Sequence, residues 1–570
     1  MKKVGVGLIF VFCCIALVVL LMSRQEEKVE VAEFLPENVL FYGEQQDFSA
    51  FYHAFQRSRL GRTLAHLDYA GTAAELGVSA EKIQEMEKHR QKISKIVEGR
   101  TFLTLLGKQF SIALFPAASF SATNVGRELE ERVLLIARPR HNTHILKLLS
   151  PFFTADIQQA TVQYGRHIIT RYQVDKNRTI STATVKGLVV AGLDERLVRK
   201  SLDCYDEKKN TLQQNKAFQR LRQNLKRSKL FTYLSLPALY EQGVMISKNL
   251  PEEDRQAFLV FLKQWEGWGA AAYGAWQEKD LVQDKAMILF DVKKLDARVA
   301  QLCSVKPSTN NTLPMVPADV LFYYWSNTLN LPLVWEIYSS WMVDQPGDMT
   351  VLRQEVKDST EVELDDILGM VGKEFAVIVK DVDSKGIPLP KAALVIQLKD
   401  PVAFFAVFEK LITAAEIPVS KEKYKNETIV YWGLAPQGGL QPAFSVKGEY
   451  LLLSNSIDMI KQIVKQQIAP KNNFLKNKGV KQVGSGLFLD NNSSAYIDIA
   501  LLADVLKNLA SWAGAIATLQ GPEVAHTSQV VVEQIVLPLL DGAAMYSKLG
   551  SRSIIGKDNI VLESTTSIIQ

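Results

Sequence analysis

Five short segments of this chain occur twice, in the same order and at a nearly constant separation. The two members of each pair lie roughly 260–280 residues apart in a chain of 570 residues. A tandem duplication explains the order and the spacing together, and it predicts two large domains built on one plan. The pairs are Phe34–Tyr42 with Met315–Tyr323, Leu105–Ala113 with Met370–Ile378, Val185–Gly187 with Val446–Gly448, Asn215–Phe218 with Asn477–Val480, and Gly269–Tyr273 with Gly542–Tyr546.

Within each repeat, runs of β-prone residues are broken by single helical segments. Val39–Tyr42 is one such run, and Pro36 precedes it at a position where proline is tolerated. The pattern predicts an α+β fold: an N-terminal transmembrane helix followed by two duplicated domains, each a largely antiparallel sheet with helices packed on it. The predicted boundaries are a cytoplasmic stub 1–3, an anchor 4–22, a connector 23–33, repeat one 34–302, a linker 303–314 and repeat two 315–570.

The composition is that of a folded globular protein, with 47% hydrophobic and 22% charged residues. The formal net charge is +5, which is small for a chain of this length. Nucleic-acid binding usually needs a basic stripe or a known module, and the sequence shows neither. We therefore expect no nucleic-acid partner.

An apolar run without any charged residue extends from Val4 to Met22, preceded by Lys2 and Lys3. As a helix it would measure about 28 Å, which is close to the hydrocarbon thickness of a bilayer. The two lysines favour an N-terminus inside the cytoplasm. We predict a single-pass anchor in a bacterial inner membrane, with the bulk of the chain on the periplasmic side. The alternative is a cleaved signal peptide, although Leu20–Arg24 offers no small-residue cleavage site.

The chain has four cysteines, two of which lie in the apolar run. Cys13 and Cys14 are predicted to be membrane-buried thiols that behave as small hydrophobic residues. Cys204 and Cys303 lie outside the run, and an oxidising compartment would allow them to pair. Two free buried thiols are the alternative.

Several structural segments resemble a family of bacterial membrane-anchored proteins, the domain-of-unknown-function family DUF3352. They are the strand around Pro36–Tyr42, the entry Leu106–Phe110, the strand and helix in Leu188–Ser201, the segment Asn215–Phe218 and the strand Phe231–Ser235. The resemblance covers most of both repeats. It implies an envelope location and this fold, and it implies no site residues.

Patterns that could carry catalysis or bind metal are isolated. His141 and His144 are three apart, which is one geometry for metal ligation on a helix, but no further ligand is evident nearby. Ser420–Lys423 matches a serine–lysine nucleophile pattern without its partner motifs, and it lies in a predicted loop. Asp365 and Asp366 fit the first turn of a helix. The sequence therefore predicts no catalytic residue, no metal and no cofactor.

Aromatic residues are concentrated at the start of repeat two. One interpretation is a strand and a helix packed in the core, and the other is a ligand groove or a contact surface, because aromatic rings with a polar tip suit both. The candidates for a ligand or interface role are Tyr323, Trp325, Trp335, Tyr338 and Trp341.

Two further segments, Leu501–Leu519 and Val530–Leu540, are apolar with little charge. Asp504, Lys507 and Glu533 interrupt them, so a second membrane span is not expected. Buried helices are one prediction. The other is the wall of a lipid-sized cavity, lined by Trp335 and Tyr338 and by Val536, which is the sixth candidate.

The leading functional hypothesis is a membrane-anchored, non-enzymatic binding or interaction module, because no polar constellation recurs in both repeats. Its partners would be the membrane, through Val4–Met22, and an envelope protein or a lipid. One alternative is a carrier or sensor of a lipid or another hydrophobic ligand. Another is an enzyme whose site residues are dispersed in the sequence.

Overall fold

The structure, a computed structural model, describes residues 29–97, 107–117, 130–139, 158–175, 178–341, 346–382, 389–416, 418–433, 440–468, 474–484 and 486–569. The predicted anchor Val4–Met22 lies outside these residues, as do Cys13, Cys14, His141 and His144.

The described strands form a 20-stranded, antiparallel sheet. Half of them belong to the first part of the chain and pair in the order β4-β5-β6-β7-β3-β2-β1-β8-β9-β10. Their bounds are β1 Phe41–Gln46, β2 Gln109–Leu114, β3 Val133–Arg138, β4 Gln159–Tyr164, β5 His167–Asp175, β6 Arg178–Val185, β7 Leu188–Gly192, β8 Leu230–Ser235, β9 Trp268–Glu278 and β10 Leu281–Phe290.

The other strands pair in the corresponding order, β14-β15-β16-β17-β13-β12-β11-β18-β19-β20. Each strand of the second part thus occupies the place of the strand ten numbers earlier. Their bounds are β11 Phe322–Ser326, β12 Val371–Val382, β13 Pro390–Leu398, β14 Ser420–Tyr424, β15 Glu427–Tyr431, β16 Ala443–Lys447, β17 Tyr450–Ser454, β18 Ser493–Asp498, β19 Tyr546–Ile555 and β20 Asn559–Ile568.

The two halves meet where β10 pairs with β20, antiparallel and in continuous register from Leu281 with Ser567 to Leu289 with Asn559. Lys285 lies opposite Glu563 in this ladder, and their charged groups are 3.0 Å apart. The expectation of a separate sheet for each domain is therefore corrected to one sheet. The physical reason is that each of these strands ends the sheet of its own half, and an unpaired edge strand readily accepts another strand.

The described helices of the first half surround its part of the sheet. They are α1 Phe48–Arg57, α2 Arg59–His66, α3 Tyr69–Glu75, α4 Ala80–Val97, α5 Glu195–Glu207, α6 Lys216–Asn224, α7 Leu236–Ser247, α8 Glu252–Lys263 and α9 Ala297–Cys303, with 3-10 turns at Val31–Phe34 and Leu212–Gln214.

The second half repeats this arrangement with helices at corresponding places between strands. They are α10 Leu331–Trp341, α11 Pro346–Thr360, α12 Leu364–Gly369, α13 Pro401–Ala414, α14 Ile457–Ile468, α15 Lys478–Val483, α16 Ile499–Ala517, α17 Pro522–Val531 and α18 Leu537–Ala543, with 3-10 turns at Leu313–Met315, Phe474–Lys476 and Thr518–Gln520 and a π-helix at Val532–Val536.

The main cores of both halves lie on one face of the sheet, which we call the core face. In the first half, Phe218 of α6 packs against Tyr42 and Tyr233 on the adjacent strands β1 and β8, with ring centroids 5.9 and 5.3 Å apart. All three rings are buried. Aromatic burial of this kind contributes several kcal/mol, about 3–5 for a phenylalanine truncated to alanine.

In the second half, Phe474 packs between Tyr323 and Tyr496, at ring-centroid distances of 5.2 and 5.3 Å. It belongs to a 3-10 turn and not to a helix. The same space over the sheet is thus filled by an aromatic ring from a different element. An aromatic ring therefore packs on the first strand of both halves, although it comes from a helix in one half and from a 3-10 turn in the other.

A pair of asparagines explains one of the recurring segments. The Asn215 side chain accepts from Phe218 N and caps α6, and the Asn477 side chain accepts from Gly479 N and Val480 N and caps α15. Each amide also donates to a backbone carbonyl just before the first strand of its half, Glu37 O and Ala318 O. The motif thus joins a helix start to a strand entry.

Some local predictions differ from the structure. The helical spacing of Phe51, Phe55 and Leu60 predicts one helix over Phe48–Leu64, but the structure divides it at Ser58, whose Oγ accepts from Gly61 N and starts a second helix. The similarity of Gly269–Tyr273 to Gly542–Tyr546 does not reflect equivalent structure, because Gly269 lies in β9 and Gly542 in α18. Cys204 and Cys303 are both free and buried, which agrees with the prediction of two free thiols and not with a disulfide.

The start of α5 gives the sheet a pH-sensitive contact. Glu195 accepts hydrogen bonds from Arg171 and Arg199, which lower its pKa from 4.5 to about 2, chiefly through Arg171. Because the folded-state pKa lies below the unfolded value, this contact stabilises the fold above pH 4.5 and is lost as the pH falls towards 2.

We expect Glu195→Gln to lower the free energy of unfolding at neutral pH and to flatten its acid dependence between pH 4.5 and 2. Urea unfolding at several pH values measures both effects. Glu207→Gln, at the other end of the same helix, is the control. An unchanged pH slope in the Glu195 variant would refute the assignment.

Candidate functional site

The structure places two of the aromatic candidates in the core of the second half. Tyr323 and Trp325 on β11 are fully buried. The Tyr323 hydroxyl lies 2.7 Å from Asn310 Nδ2 and 2.9 Å from Thr312 Oγ1. Burial raises the pKa of Tyr323 well above its usual value. This placement agrees with the packed-strand interpretation and leaves these two rings no solvent-facing surface.

Trp325 belongs to a buried polar cluster around Glu374. Its Nε1 donates to Glu374 Oε1 at 2.7 Å, the Tyr450 hydroxyl donates to Oε2 at 2.8 Å, and the backbone N–H of Asn311 donates to Oε1 at 2.9 Å. Burial and the hydrogen bond to the carboxylate raise the pKa of Tyr450. A buried carboxylate is stable only when its oxygens are hydrogen-bonded, so this cluster fixes the positions of β11, β12 and β17.

The first half has a related cluster with a different chemistry. Glu44 on β1 is buried and accepts from Tyr42 at 2.6 Å and from Arg222 at 2.8 Å. Burial alone would raise the pKa of Glu44, but the Arg222 charge and the hydrogen bonds outweigh it and lower the pKa. Arg222 also lies over the Phe231 ring, 4.5 Å from its centroid. The Glu44 carboxylate is thus hydrogen-bonded inside the fold, as in a structural ion pair, whereas Nη1 of Arg222 is buried without a hydrogen-bond partner among the described residues.

The remaining aromatic candidates lie on α10. Trp335 is partly buried. Tyr338 and Trp341 belong to the same helix, and their side chains lie outside the described residues. Val536, at the end of the π-helix, is partly buried. The π-helix that contains Val536 packs against α16, α17 and α18, whereas the β11 aromatics lie in the core over the sheet, so Val536 and these aromatics lie in different parts of the second half.

The motifs with a catalytic interpretation are structural where they are described. Ser420–Lys423 lies in strand β14 and not in a loop, so side chains three residues apart point to opposite faces. Asp365 and Asp366 lie in the first turn of α12, as predicted, and Asp365 pairs with Arg353 at 2.8 Å. Within the described ranges, no group of three or more His, Cys, Asp or Glu side chains could hold a metal ion.

The most unusual surface is formed by α16, the 3-10 turn after it and α17, residues 499–531, which we call the apolar hairpin. In the part of the chain that the structure describes, Ile499–Gln520 is the one helix long and apolar enough to cross a membrane, and only 6% of its most apolar stretch is buried. The prediction of a buried helix at Leu501–Leu519 is therefore wrong. An apolar composition predicts burial only where another element covers the helix.

The exposed side chains of the apolar hairpin are large. Leu519 is 84% exposed and Trp512 is 37% exposed, and Leu501, Leu506 and Val524 are exposed as well. Large exposed apolar patches on a protein surface mark interaction sites. The sequence signal was the absence of charge from Asn508 to Pro522.

The base of the apolar hairpin is held by charged groups. Lys507 pairs with Asp504 at 3.2 Å and with Asp541 of α18 at 2.6 Å, and Arg59 of α2 lies 3.6 Å from Asp541. The hydrogen bond to Asp541 raises the pKa of Lys507 most, the contact with Asp504 raises it further, and partial burial opposes them without cancelling the increase. These charged groups mark where the apolar surface ends.

Helices of the two halves meet beside this base. α18 packs against α2 so closely that a Cβ added at Gly542 would lie 3.0–3.1 Å from Leu60. Thr72 Oγ1 donates to Gln534 Oε1, and Gln534 Nε2 donates to Glu75, both at 2.7 Å. α1 of this layer packs on the side of the sheet opposite the core face, since Phe48 contacts Phe110 with ring centroids 6.3 Å apart. The helices at the base of the hairpin are therefore packed against helices of the first half.

Two cavities formed by described residues are polar and open. One, of about 210 Å³, lies at the junction of the halves and is lined by Trp276, Gln283, Arg552 and Glu563, among others. The other, of about 520 Å³, lies beside β4–β6 and includes Arg171 and Glu195. Neither is lined by Trp335 or Val536, so neither corresponds to the predicted lipid cavity.

Comparisons with known proteins give one family and one distant structure. The family model described as "Protein of unknown function (DUF3352)" matches residues 103–528. No curated protein matches the chain. A solved structure, "Structure of crystal form III of TP0453", aligns with 11% identity over 48% of this chain and 84% of that chain, with a TM-score of 0.24. A TM-score this low does not relate the two folds.

Proposed function

Because the chain belongs to the DUF3352 family, whose function is unknown, we propose from its structure that it is a non-enzymatic binding module. In this proposal the chain is anchored in a bacterial inner membrane by Val4–Met22, with its N-terminus inside and its bulk in the periplasm. The binding surface is the apolar hairpin, and the two halves arose by tandem duplication.

The observation that carries the proposal is the exposure of the apolar hairpin. Covering apolar surface is worth roughly 25 cal/mol per Å² removed from water. A side chain such as Leu519, at 84% exposure, gains most of that benefit only when something covers it. The fold leaves this surface open, so a partner supplies the cover.

The duplication is supported by strand order. The ten strands of each half follow the same path through the sheet, and the halves are related across the β10–β20 ladder. The Asn215 and Asn477 caps occupy the same place in each half. The hairpin has a counterpart in α7 and α8. α8 and the turn after it also expose Val260, Phe261 and Trp265, but α8 carries Glu252, Glu253 and Asp254 in its first turn, so the tip of this counterpart is charged whereas that of the apolar hairpin is not. The binding surface therefore belongs to the second half.

A binding role rather than a catalytic one is supported by where polar groups lie. Glu374, Tyr450 and Trp325 hydrogen-bond one another inside the core. The Glu44–Arg222 pair is likewise buried. Groups held in this way have no open position for a substrate.

Site-specific photo-crosslinking tests the proposal. A photoreactive amino acid replaces Leu519 in the full chain, and the native membrane is irradiated. Lys209, an exposed residue just after α5 on the core side of the sheet, is the control position. We expect an adduct with lipid or protein at position 519 that is absent at 209. Equal or absent adducts at both positions would overturn the proposal.

A further inference from the structure

We infer that the partner of the apolar hairpin is the lipid bilayer, and that the hairpin tip, residues 508–522, enters the headgroup region of the membrane that holds the chain. This inference rests on the proposed function and names the partner. The hairpin tip has the chemistry of an uncharged pair of helices that lies at a membrane interface.

The tip of the hairpin is apolar and uncharged. From Asn508 to Pro522 the sequence has no charged residue, and its small and apolar side chains surround Trp512 and Leu519. A protein partner would need complementary shape and hydrogen bonds. A bilayer needs only apolar surface without charge, and tryptophan is enriched at the membrane interface because its ring is apolar and its N–H is polar.

Charged residues lie on both sides of the tip, and none lies within it. Asp504, Lys507 and Asp541 pair with one another at the base of the hairpin, and Glu523 follows the tip on the other helix. The uncharged part of α16 between Asn508 and Ala517 is about 15 Å long at 1.5 Å per residue. Interfacial helices enter a membrane by about 5–10 Å, so the tip can enter while these charges remain in water.

The proposed anchor ends a few residues before the start of the described fold. The apolar run ends at Met22, and the described fold begins at Val29. Seven residues span at most about 25 Å. A chain anchored by Val4–Met22 therefore holds its folded body close to the bilayer, which raises the effective concentration of the surface of the fold at the membrane.

The charges around the tip also predict which lipids suffice. The basic groups at its base, Lys507 and Arg59, are already paired with carboxylates. Binding should therefore depend on apolar contact and not on anionic headgroups, and added salt should change it little. Vesicles of phosphatidylcholine are an adequate probe.

The experiment uses the full chain reconstituted in phosphatidylcholine vesicles, with an environment-sensitive fluorophore on Leu519→Cys or, as a control, on Lys209→Cys. Labelling of the unsubstituted chain gives the background from its own cysteines. We expect a blue-shifted emission at position 519 and quenching by lipid-borne nitroxide about threefold stronger than at position 209.

A second pair of substitutions separates insertion from misfolding. Ala513→Glu places a charge in the exposed tip and should reduce the quenching at 519 to the level of 209, with an unchanged circular dichroism spectrum. Val260→Glu, on the exposed face of α8, should leave the quenching at position 519 unchanged.

Equal quenching at 519 and 209 would overturn the inference. If a protein adduct still formed at 519, the proposed binding function would stand and only the lipid partner would be wrong. If neither quenching nor an adduct appeared, both proposals would fail.

Discussion

Replacing Trp325 with alanine is expected to lower the free energy of unfolding by about 3–5 kcal/mol, because truncating a fully buried aromatic ring leaves a cavity in the core. The substitution also removes the donor that lies 2.7 Å from Glu374 Oε1. A buried carboxylate that loses a hydrogen bond adds about 1–3 kcal/mol to the cost. Urea unfolding followed by far-ultraviolet circular dichroism measures the total.

Trp512→Ala provides the matched control, since the same ring is removed from the apolar hairpin, where Trp512 is 37% exposed. A surface position of this kind should change stability by about 0.5 kcal/mol. Comparable losses in the two variants would show that the β11 tryptophan is not the core residue described above.

Replacing Arg222 with methionine is expected to cost about 3–5 kcal/mol, because it leaves the buried Glu44 without its cation. The methionine retains apolar contact with Phe231, over which the guanidinium lies, so the loss reports mainly on charge. Thermal and urea unfolding at neutral pH measure it.

Arg220→Met, on the same helix, tests whether burial is the cause. Arg220 pairs with Asp558 at 2.7 Å, but both side chains are well exposed, and such pairs are worth at most about 1 kcal/mol. If the Arg220 variant lost as much stability as the Arg222 variant, burial would not explain the effect.

Much of the fold was predictable because the relevant signals are local. Asp194 is of a residue type that favours the N-cap position, and it caps α5 by accepting from the N–H of Arg196. By contrast, the β-prone run Thr179–Ala191 predicts a single strand, whereas Lys186 and Gly187 take positive φ angles and form a hairpin turn that divides it into β6 and β7. The β1 and β11 strands follow their prolines. These features depend on a few neighbouring residues.

The features that were not predictable depend on long-range packing. The β10–β20 ladder pairs residues that are distant in sequence, and no local pattern specifies which strand edge meets which. The exposure of α16 follows from the absence of a covering element among the described residues, whereas its apolar composition suggested burial. The Glu374 cluster joins Asn311, Trp325 and Tyr450 from three separate segments.

The central claim is that the apolar hairpin is covered when the protein is in its membrane, and amide hydrogen exchange measures this most directly. In phosphatidylcholine vesicles, the full chain is compared with its Ala513→Glu variant, in which a charge in the tip opposes insertion. We expect slower exchange for amides of 508–520 in the unsubstituted chain than in the variant, with those of α8 alike in both. Identical exchange of 508–520 in the two chains would contradict the claim.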